Sequence, residues 1–116
     1  MRRMLAMALA ILMMTALLSG AQAGVPSGVE DGVLTVAMEC NYAPYNWSQS
    51  DDSNGAVPIS GSNEYANGYD VMMAKKLCEA NGWKLEIVRL DWDSLVPAVL
   101  SGVVDSVIAG QSMTAA

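Results

Sequence analysis

The chain has 116 residues with 12 acidic and 6 basic side chains, so its net charge is −6 at neutral pH. This length suffices for one domain and excludes two, and the acidic balance argues against binding to nucleic acids or to anionic membranes. The sequence contains no histidine and only two cysteines, which leaves little material for a metal site or for base-assisted catalysis. Although 53% of the residues are hydrophobic, this excess is concentrated at the amino terminus.

Residues 1–23 have the pattern of a secretory signal peptide. Two arginines form a short positive region, and an apolar run over 4–18, interrupted by one threonine, follows them. This run is shorter than the ~20 residues that a membrane-spanning helix needs. The small residues before position 24 predict cleavage after Ala23, and no cysteine stands there to carry a lipid anchor. We therefore expect an exported chain in the periplasm or on the extracellular face of a bacterium, with a flexible leader over 24–32.

The first predicted element of the fold is a buried strand over 33–38, a run of apolar and β-branched residues. The segment 41–47 is aromatic, and the polar stretch 48–68 contains an Asn54-Gly55 turn, which predicts a hairpin tip. The acidic run that ends at this turn resembles the start of a calcium loop. The position that requires glutamate is Gly61, however, so calcium is excluded there.

The spacing of apolar residues predicts a helix over 70–81 that ends at the Asn-Gly pair 81–82. Met72 falls in the polar arc of this helix and is expected to be exposed. Alternation with period two then predicts a strand over 84–89. The expected buried face of the helix consists of six residues: Val71, Met73, Ala74, Leu77, Cys78 and Ala80.

A second helix is predicted over 94–101, with Asp93 as its cap, Pro97 in its first turn and Gly102 at its end. An apolar strand over 103–109 follows it. Short helices between apolar strands predict an α/β fold, a parallel β-α-β-α-β sheet with right-handed crossovers. In such sheets, ligands bind at the carboxyl ends of the strands.

Three segments meet at that edge of the predicted sheet: 39–47, 90–93 and 110–114. Aromatic walls with a few polar groups are typical of a pocket for a small ligand, and simple covering of the sheet edge is the alternative for some of the rings. No glycine-rich phosphate turn follows the first strand, so a nucleotide site is not expected. The candidate residues are four aromatics, three acids and two hydroxyls: Tyr42, Tyr45, Trp47, Trp92, Glu39, Asp91, Asp93, Ser112 and Thr114.

The two cysteines are not expected to pair, although export would permit a disulfide. Cys40 lies at the carboxyl end of the first strand, whereas Cys78 lies two turns into an antiparallel helix, toward the opposite edge. A disulfide tolerates Cα separations only up to ~7 Å. Cys78 is instead expected to be a small core residue.

Several motifs occur in a characteristic order along the chain. They are an aromatic–proline turn at 41–45, a Gly-Tyr-Asp-Val-Met-Met run at 68–73, a Trp-Asp-Ser-Leu-Val-Pro-Ala run at 92–98, and the segments Ser-Gly-Val-Val-Asp at 101–105 and Ala-Gly-Gln-Ser-Met-Thr at 109–114. Together they resemble the family 3 bacterial extracellular solute-binding proteins, the polar amino-acid receptors of ABC importers. The resemblance spans 32–116 and implies a lobe of the type II periplasmic-binding-protein-like fold.

The resemblance implies that Tyr42 and Trp92 sandwich the ligand side chain. Ser112, with the backbone near Gly110, would bond the α-amino and α-carboxylate groups. Glu39 matches an acidic position that meets the distal polar group, which favours a basic or amide side chain. The implied partners are a polar amino acid and a membrane permease, with no cofactor, no metal and no enzymatic role.

The resemblance also implies that residues 33–116 form an incomplete first lobe. In the family, an arginine that clamps the ligand's α-carboxylate stands three positions after the residue matched by Thr114, whereas this chain ends at Ala116. Met72 also departs from the family's usual acid, on the predicted solvent face. We therefore expect weak or no amino-acid binding by this chain alone. The alternatives are an exported enzyme on the same fold, similar to cyclohexadienyl dehydratase, the sensor domain of a signalling receptor, or a self-contained α/β domain.

Overall fold

The structure, a computed structural model, describes residues 29–112. One of its two sheets is parallel and consists of β1 (Val33–Met38), β6 (Lys84–Arg89) and β7 (Ser106–Val107), with β1 in the middle. Strand β1 (Val33–Met38) pairs with β6 (Lys84–Arg89) along its whole length, and both strands have the bounds expected from the sequence. Strand β7 (Ser106–Val107) pairs with the other side of β1. The predicted parallel α/β arrangement is therefore confirmed.

Helices cover this sheet, which explains why β1 is a continuous apolar run. Val36, Ala37 and Met38 are completely buried, as is Ile87 at the centre of β6. Helix α1 (Tyr69–Asn81) packs on β6, and helix α2 (Trp92–Leu100) packs on β1 and β7. The core of the described residues lies between these elements.

The buried face of α1 differs from the expected one. Val71, Ala74 and Cys78 are buried as predicted, but Met73 and Leu77 are 38% and 44% exposed. The buried face of α1 is rotated relative to the predicted one because the helix packs against an antiparallel sheet, described below, as well as against β6. The side of the helix that faces the antiparallel sheet is therefore covered. Met72 was expected on the solvent face but is half-buried. The end of the helix is as predicted, since Gly82 adopts a left-handed conformation with φ 71°.

The start of α2 also corrects the sequence prediction. The helix begins at Trp92, with Asp91 rather than Asp93 at its cap position, and neither carboxylate makes a capping hydrogen bond. Instead, the Ser94 N–H donates to the Asp91 carbonyl at 2.9 Å. Because the helix starts earlier, Pro97 lies in its interior and removes one backbone hydrogen bond there.

The third parallel strand is much shorter than the predicted 103–109. Val103 is 70% exposed, and only 106–107 are strand. The residue before the strand explains this: the Asp105 carboxylate accepts the Thr35 N–H at 2.8 Å, and the Asp105 N–H donates to the Thr35 carbonyl at 3.0 Å. A hydrogen bond from the Thr35 N–H to the Asp105 side chain thus replaces the first backbone hydrogen bond expected between β1 and β7.

A second, antiparallel sheet of four short strands was not predicted. The strands are β2 (Asn41–Tyr42), β3 (Asn46–Gln49), β4 (Val57–Pro58) and β5 (Tyr65–Asn67). Their order in the sheet is β2-β3-β5-β4, so β5 lies between β3 and β4. Asn54 and Gly55 do form a left-handed turn between β3 and β4, with φ of 55° and 77°, but those strands are not paired with each other, and the hairpin prediction is wrong.

In the described part of the predicted leader, residues 29–32, Val29 is buried whereas Glu30 and Asp31 are exposed. Val29 is only 4% exposed, and its carbonyl accepts the Gly32 N–H at 3.0 Å. The predicted signal peptide, its cleavage site and residues 24–28 lie outside the described residues. Both cysteines are free and buried, and Cys78 is in the core as expected.

Candidate functional site

One cleft at the carboxyl edge of the parallel sheet brings together all five predicted ligand residues. Its volume is about 460 Å³, and it is lined by Glu39, Tyr42, Trp92, Gly110 and Ser112. Glu39 follows β1, Trp92 begins α2, and Gly110 and Ser112 follow β7, which the parallel topology gathers at one edge, whereas Tyr42 lies in β2 of the antiparallel sheet. Each of the two aromatic side chains is 46% exposed, so the rings retain free surface for a ligand.

The other candidates of this edge do not line the cleft. Tyr45 lines a neighbouring cavity of about 540 Å³ beside β7, and Trp47 is half-buried on β3, where its ring N–H donates to Gln49. Asp91 lines a third cavity on the other side of Glu39. Asp93 is exposed in the first turn of α2, and Thr114 lies outside the described residues.

The aromatic wall is built by a tight turn, Tyr42 to Tyr45, that contains a cis bond between Ala43 and Pro44. The Tyr45 N–H donates to the Tyr42 carbonyl at 2.9 Å, which closes the turn. The two tyrosine rings are 5.1 Å apart between centroids and inclined by 40°. Tyr45 therefore packs against the ring of Tyr42.

Gly110 packs directly against this pair of rings. Its φ is +63°, and a Cβ at this position would lie 2.9 Å from Cε1 of Tyr42 and 3.1 Å from Cγ of Tyr45. A larger residue would displace both rings, so glycine is required by contact as well as by backbone conformation. The sequence pointed to the backbone of Gly110 as a ligand contact, and the structure adds this packing role.

Two residues that hold the turn were missed at the sequence level. The Asn46 side chain accepts the Cys40 N–H at 2.8 Å, and its own NH₂ group donates to the Asp70 carboxylate at 2.9 Å. Both side chains are buried, at 0% and 4% exposure. The Gly-Tyr-Asp motif was the available signal for Asp70. Its hydrogen-bond partners lie in β3 and in the turn, and no local sequence pattern indicates that these segments meet.

The charges at this edge favour a cation or a neutral polar group over an anion. Of the described residues that line the cleft, Glu39 alone is charged. The nearby Arg89 is paired with Glu64, with 2.6 Å between guanidinium and carboxylate, and this hydrogen bond raises the pKa of Arg89. Within 29–112, no cluster of acids and cysteines could hold a metal ion.

The Cys40 thiol follows Glu39, and its burial favours the protonated form at neutral pH. It is 3% exposed, and burial raises its pKa to about 11. A thiol is reactive only as the thiolate, so this residue is structural. Its φ of 61° directs the backbone N–H toward Asn46.

Comparison with known proteins identifies the family. Residues 34–116 match the model of the bacterial extracellular solute-binding proteins, family 3. The chain belongs to this family. A curated relative is the octopine-binding periplasmic protein of Rhizobium meliloti, 32% identical over 76% of this chain. The chain spans 26% of the length of that relative.

Solved solute-binding structures share the fold. The arginine-bound domain 1 of TmArgBP, from T. maritima, is 26% identical with a TM-score of 0.60, over 78% of this chain and 63% of that one. The ancestral amino-acid-binding protein AncCDT-1, described as a precursor of cyclohexadienyl dehydratase, is 30% identical with a TM-score of 0.57, over 74% and 33%. Between residues 29 and 112, no helix has the length and hydropathy to cross a membrane.

Proposed function

We propose that this protein is the substrate-binding component of an ABC importer for polar amino acids. The observation that carries the proposal is the single cleft lined by all five residues that the family motifs assign to the ligand. The names of the relatives support an amino-acid ligand, since they include an octopine-binding and an arginine-binding protein. Delivery to a permease, export and cleavage after Ala23 belong to the same proposal.

The proposed capture is non-covalent. Tyr42 and Trp92 present aromatic faces between which an aliphatic or cationic side chain is held, because ring faces are partly negative. The Ser112 hydroxyl and the backbone at Gly110 bond the α-amino and α-carboxylate groups. The Glu39 carboxylate meets the distal group, which favours ligands with a basic or amide side chain.

The described residues form one wall of the site, so this chain alone is expected to bind weakly. Both aromatic side chains remain nearly half exposed, and a ligand on them would keep much of its water contact. Closing a second wall over the ligand is the usual way in which hinged binding proteins gain affinity. The proposed affinity of this chain is therefore near ~1 mM, which corresponds to about 4 kcal/mol of binding free energy.

The test is a titration of the exported chain with arginine, lysine, glutamine and cystine. Binding is measured by the NMR signal of the Trp92 indole and by calorimetry. We expect saturable shifts for at least one ligand, and loss of these shifts in Tyr42→Ala and in Glu39→Gln for a basic ligand. Leu100→Ala is the control, because Leu100 is 82% exposed and lies at the opposite end of α2 from Trp92. No saturable shift up to ~10 mM would contradict the ligand role, and micromolar affinity would contradict the one-walled site.

A second candidate is an exported enzyme on the same fold. The likeness to AncCDT-1 favours it, since that protein is described as a precursor of cyclohexadienyl dehydratase. Among the described residues that line the cleft, Glu39 is the one carboxylate that could act as an acid or base. Turnover of a cyclohexadienyl substrate that is abolished by Glu39→Gln would support this candidate, and absence of turnover in the purified chain would reject it.

A further inference from the structure

We propose that Asn46 and Asp70 are a positioning pair that sets the aromatic wall of the ligand cleft. Neither side chain lines the cleft, although Asp70 lines the neighbouring cavity together with Tyr45. They act through the turn Tyr42 to Tyr45, which they connect to the end of β1 and to the start of α1. The ligand-binding consequence rests on the proposed function above, whereas the effect on the turn itself does not.

The pair connects three segments by hydrogen bonds of good length. Asn46 uses its oxygen for the Cys40 N–H, at 2.8 Å, and its nitrogen for the Asp70 carboxylate, at 2.9 Å. An amide is suited to this place because it accepts on one side and donates on the other. The end of β1 and the start of α1 are thereby held at a defined separation, with β3 between them.

The start of α1 is hydrogen-bonded to the backbone of the aromatic turn. The Asp70 N–H donates to the Tyr45 carbonyl at 2.8 Å, and the Tyr69 N–H donates to the Pro44 carbonyl at 3.1 Å. Gly68 permits this approach because it has no side chain. A Cβ at this position would clash with the Tyr45 carbonyl oxygen. A displacement of Asp70 is therefore transmitted directly to Tyr45.

Tyr45 transmits that displacement to the cleft. Its ring packs against that of Tyr42, with 5.1 Å between the centroids, and both rings lie close to Gly110, so a shift of one ring is expected to shift the other. Tyr42 is the member of the pair that lines the cleft. Asn46 and Asp70 thus determine where the aromatic face stands without touching a ligand.

Burial makes the pair sensitive to its chemistry. An unpaired carboxylate or amide at 4% or 0% exposure is unfavourable, so each group depends on the other. Asn46→Asp would set two carboxylates against each other, whereas the exchange Asn46→Asp with Asp70→Asn keeps both hydrogen bonds, the charge and the number of heavy atoms. If the double exchange restores the ring contact that N46D loses, the hydrogen bonds of the pair, and not only its volume, position the turn.

The experiment compares the wild type, N46D, N46D/D70N and the control D105A in the full chain without ligand. The readout is the nuclear Overhauser effect between the Tyr42 and Tyr45 rings, together with the Trp92 indole shift. D105A is a matched control because it removes a partly buried carboxylate that accepts a backbone N–H, away from the turn. We expect N46D to lose the ring contact or to unfold, and the exchange and D105A to retain it.

The arginine titration then gives the second readout. We expect the dissociation constant to rise about tenfold in N46D and to return to within about threefold of wild type in the exchange. An unchanged ring contact in N46D, or a lost contact in the exchange, overturns the positioning role. A ring contact that changes while arginine binding stays constant supports the positioning role and counts instead against Tyr42 as a ligand residue.

Discussion

The two sheets of this protein are held by different forces. In the parallel sheet, β1 and β6 are stabilised by the burial of apolar side chains such as Val36 and Ile87. The antiparallel sheet has little apolar core. Instead, it contains or adjoins all three buried polar residues found within 29–112: Asn46, Asn67 and Asp70. The difference shows that the part of the fold that shapes the cleft depends on specific hydrogen bonds and close backbone contacts.

The strongest test of that difference is Gly68→Ala, next to the antiparallel sheet. Gly68 has φ +122°, and an added Cβ would clash with the Tyr45 backbone. We expect a loss of about 4 kcal/mol in the free energy of unfolding, from strained backbone together with overpacking. Urea denaturation measures it. The control is Gly61→Ala, because Gly61 has φ +72° and no atom within 4 Å of an added Cβ. We expect this variant to lose about 1 kcal/mol of unfolding free energy from backbone strain alone. Equal losses in the two variants would contradict a role for the close contact at Gly68.

In the parallel sheet, the corresponding change is Ile87→Ala. Ile87 is completely buried at the centre of β6, so truncation leaves a cavity that the packed strands cannot close. We expect a loss of about 3 kcal/mol in unfolding free energy, measured in the same way. The ring contact between Tyr42 and Tyr45 should persist in the folded fraction. Its disappearance there would mean that the two regions are not as independent as their contacts suggest.

A polar contact within the parallel sheet is expected to have an intermediate effect. Asp105→Ala leaves the Thr35 N–H without its acceptor at the start of β7. We expect a loss of about 2 kcal/mol, the usual range for an unsatisfied, partly buried donor. Hydrogen exchange at Thr35 is the direct measurement, with Asp105→Asn as the control that keeps an oxygen in place. Unchanged protection in Asp105→Ala would show that water replaces the carboxylate.

The smallest expected effect concerns alkaline pH and the junction between the sheets. Cys40 is buried, and its pKa is raised from 9.0 to about 11, so the folded state favours the protonated thiol. The associated stability is fully present below pH 9 and is lost between pH 9 and 11, as the unfolded thiol ionises first. By pH 10 the loss is about 1 kcal/mol. The difference between wild type and Cys40→Ala across pH 8–10 isolates it, and parallel curves would contradict burial of the thiol.

Much of the parallel sheet could be predicted from local pattern. The bounds of β1 and β6 follow from apolar runs and alternation, and the end of α1 follows from Gly82. The five cleft residues could also be named, because parallel strands bring their carboxyl ends together and the family motifs mark the same positions. The rotated face of α1 could not be predicted, since periodicity indicates how wide a buried arc is but not which neighbours cover it.

The sequence by itself determined the family, the order of the parallel elements and the residues that line the cleft, because these depend on periodicity and short motifs. Only the tertiary structure decided that the stretch 41–67 forms an antiparallel sheet and that Asn46 and Asp70 meet beneath the aromatic turn. The physical reason is the distance along the chain between the partners. Strands of two to four residues and single buried hydrogen bonds carry no local signal, and they form only when the packed helix and sheet bring them together.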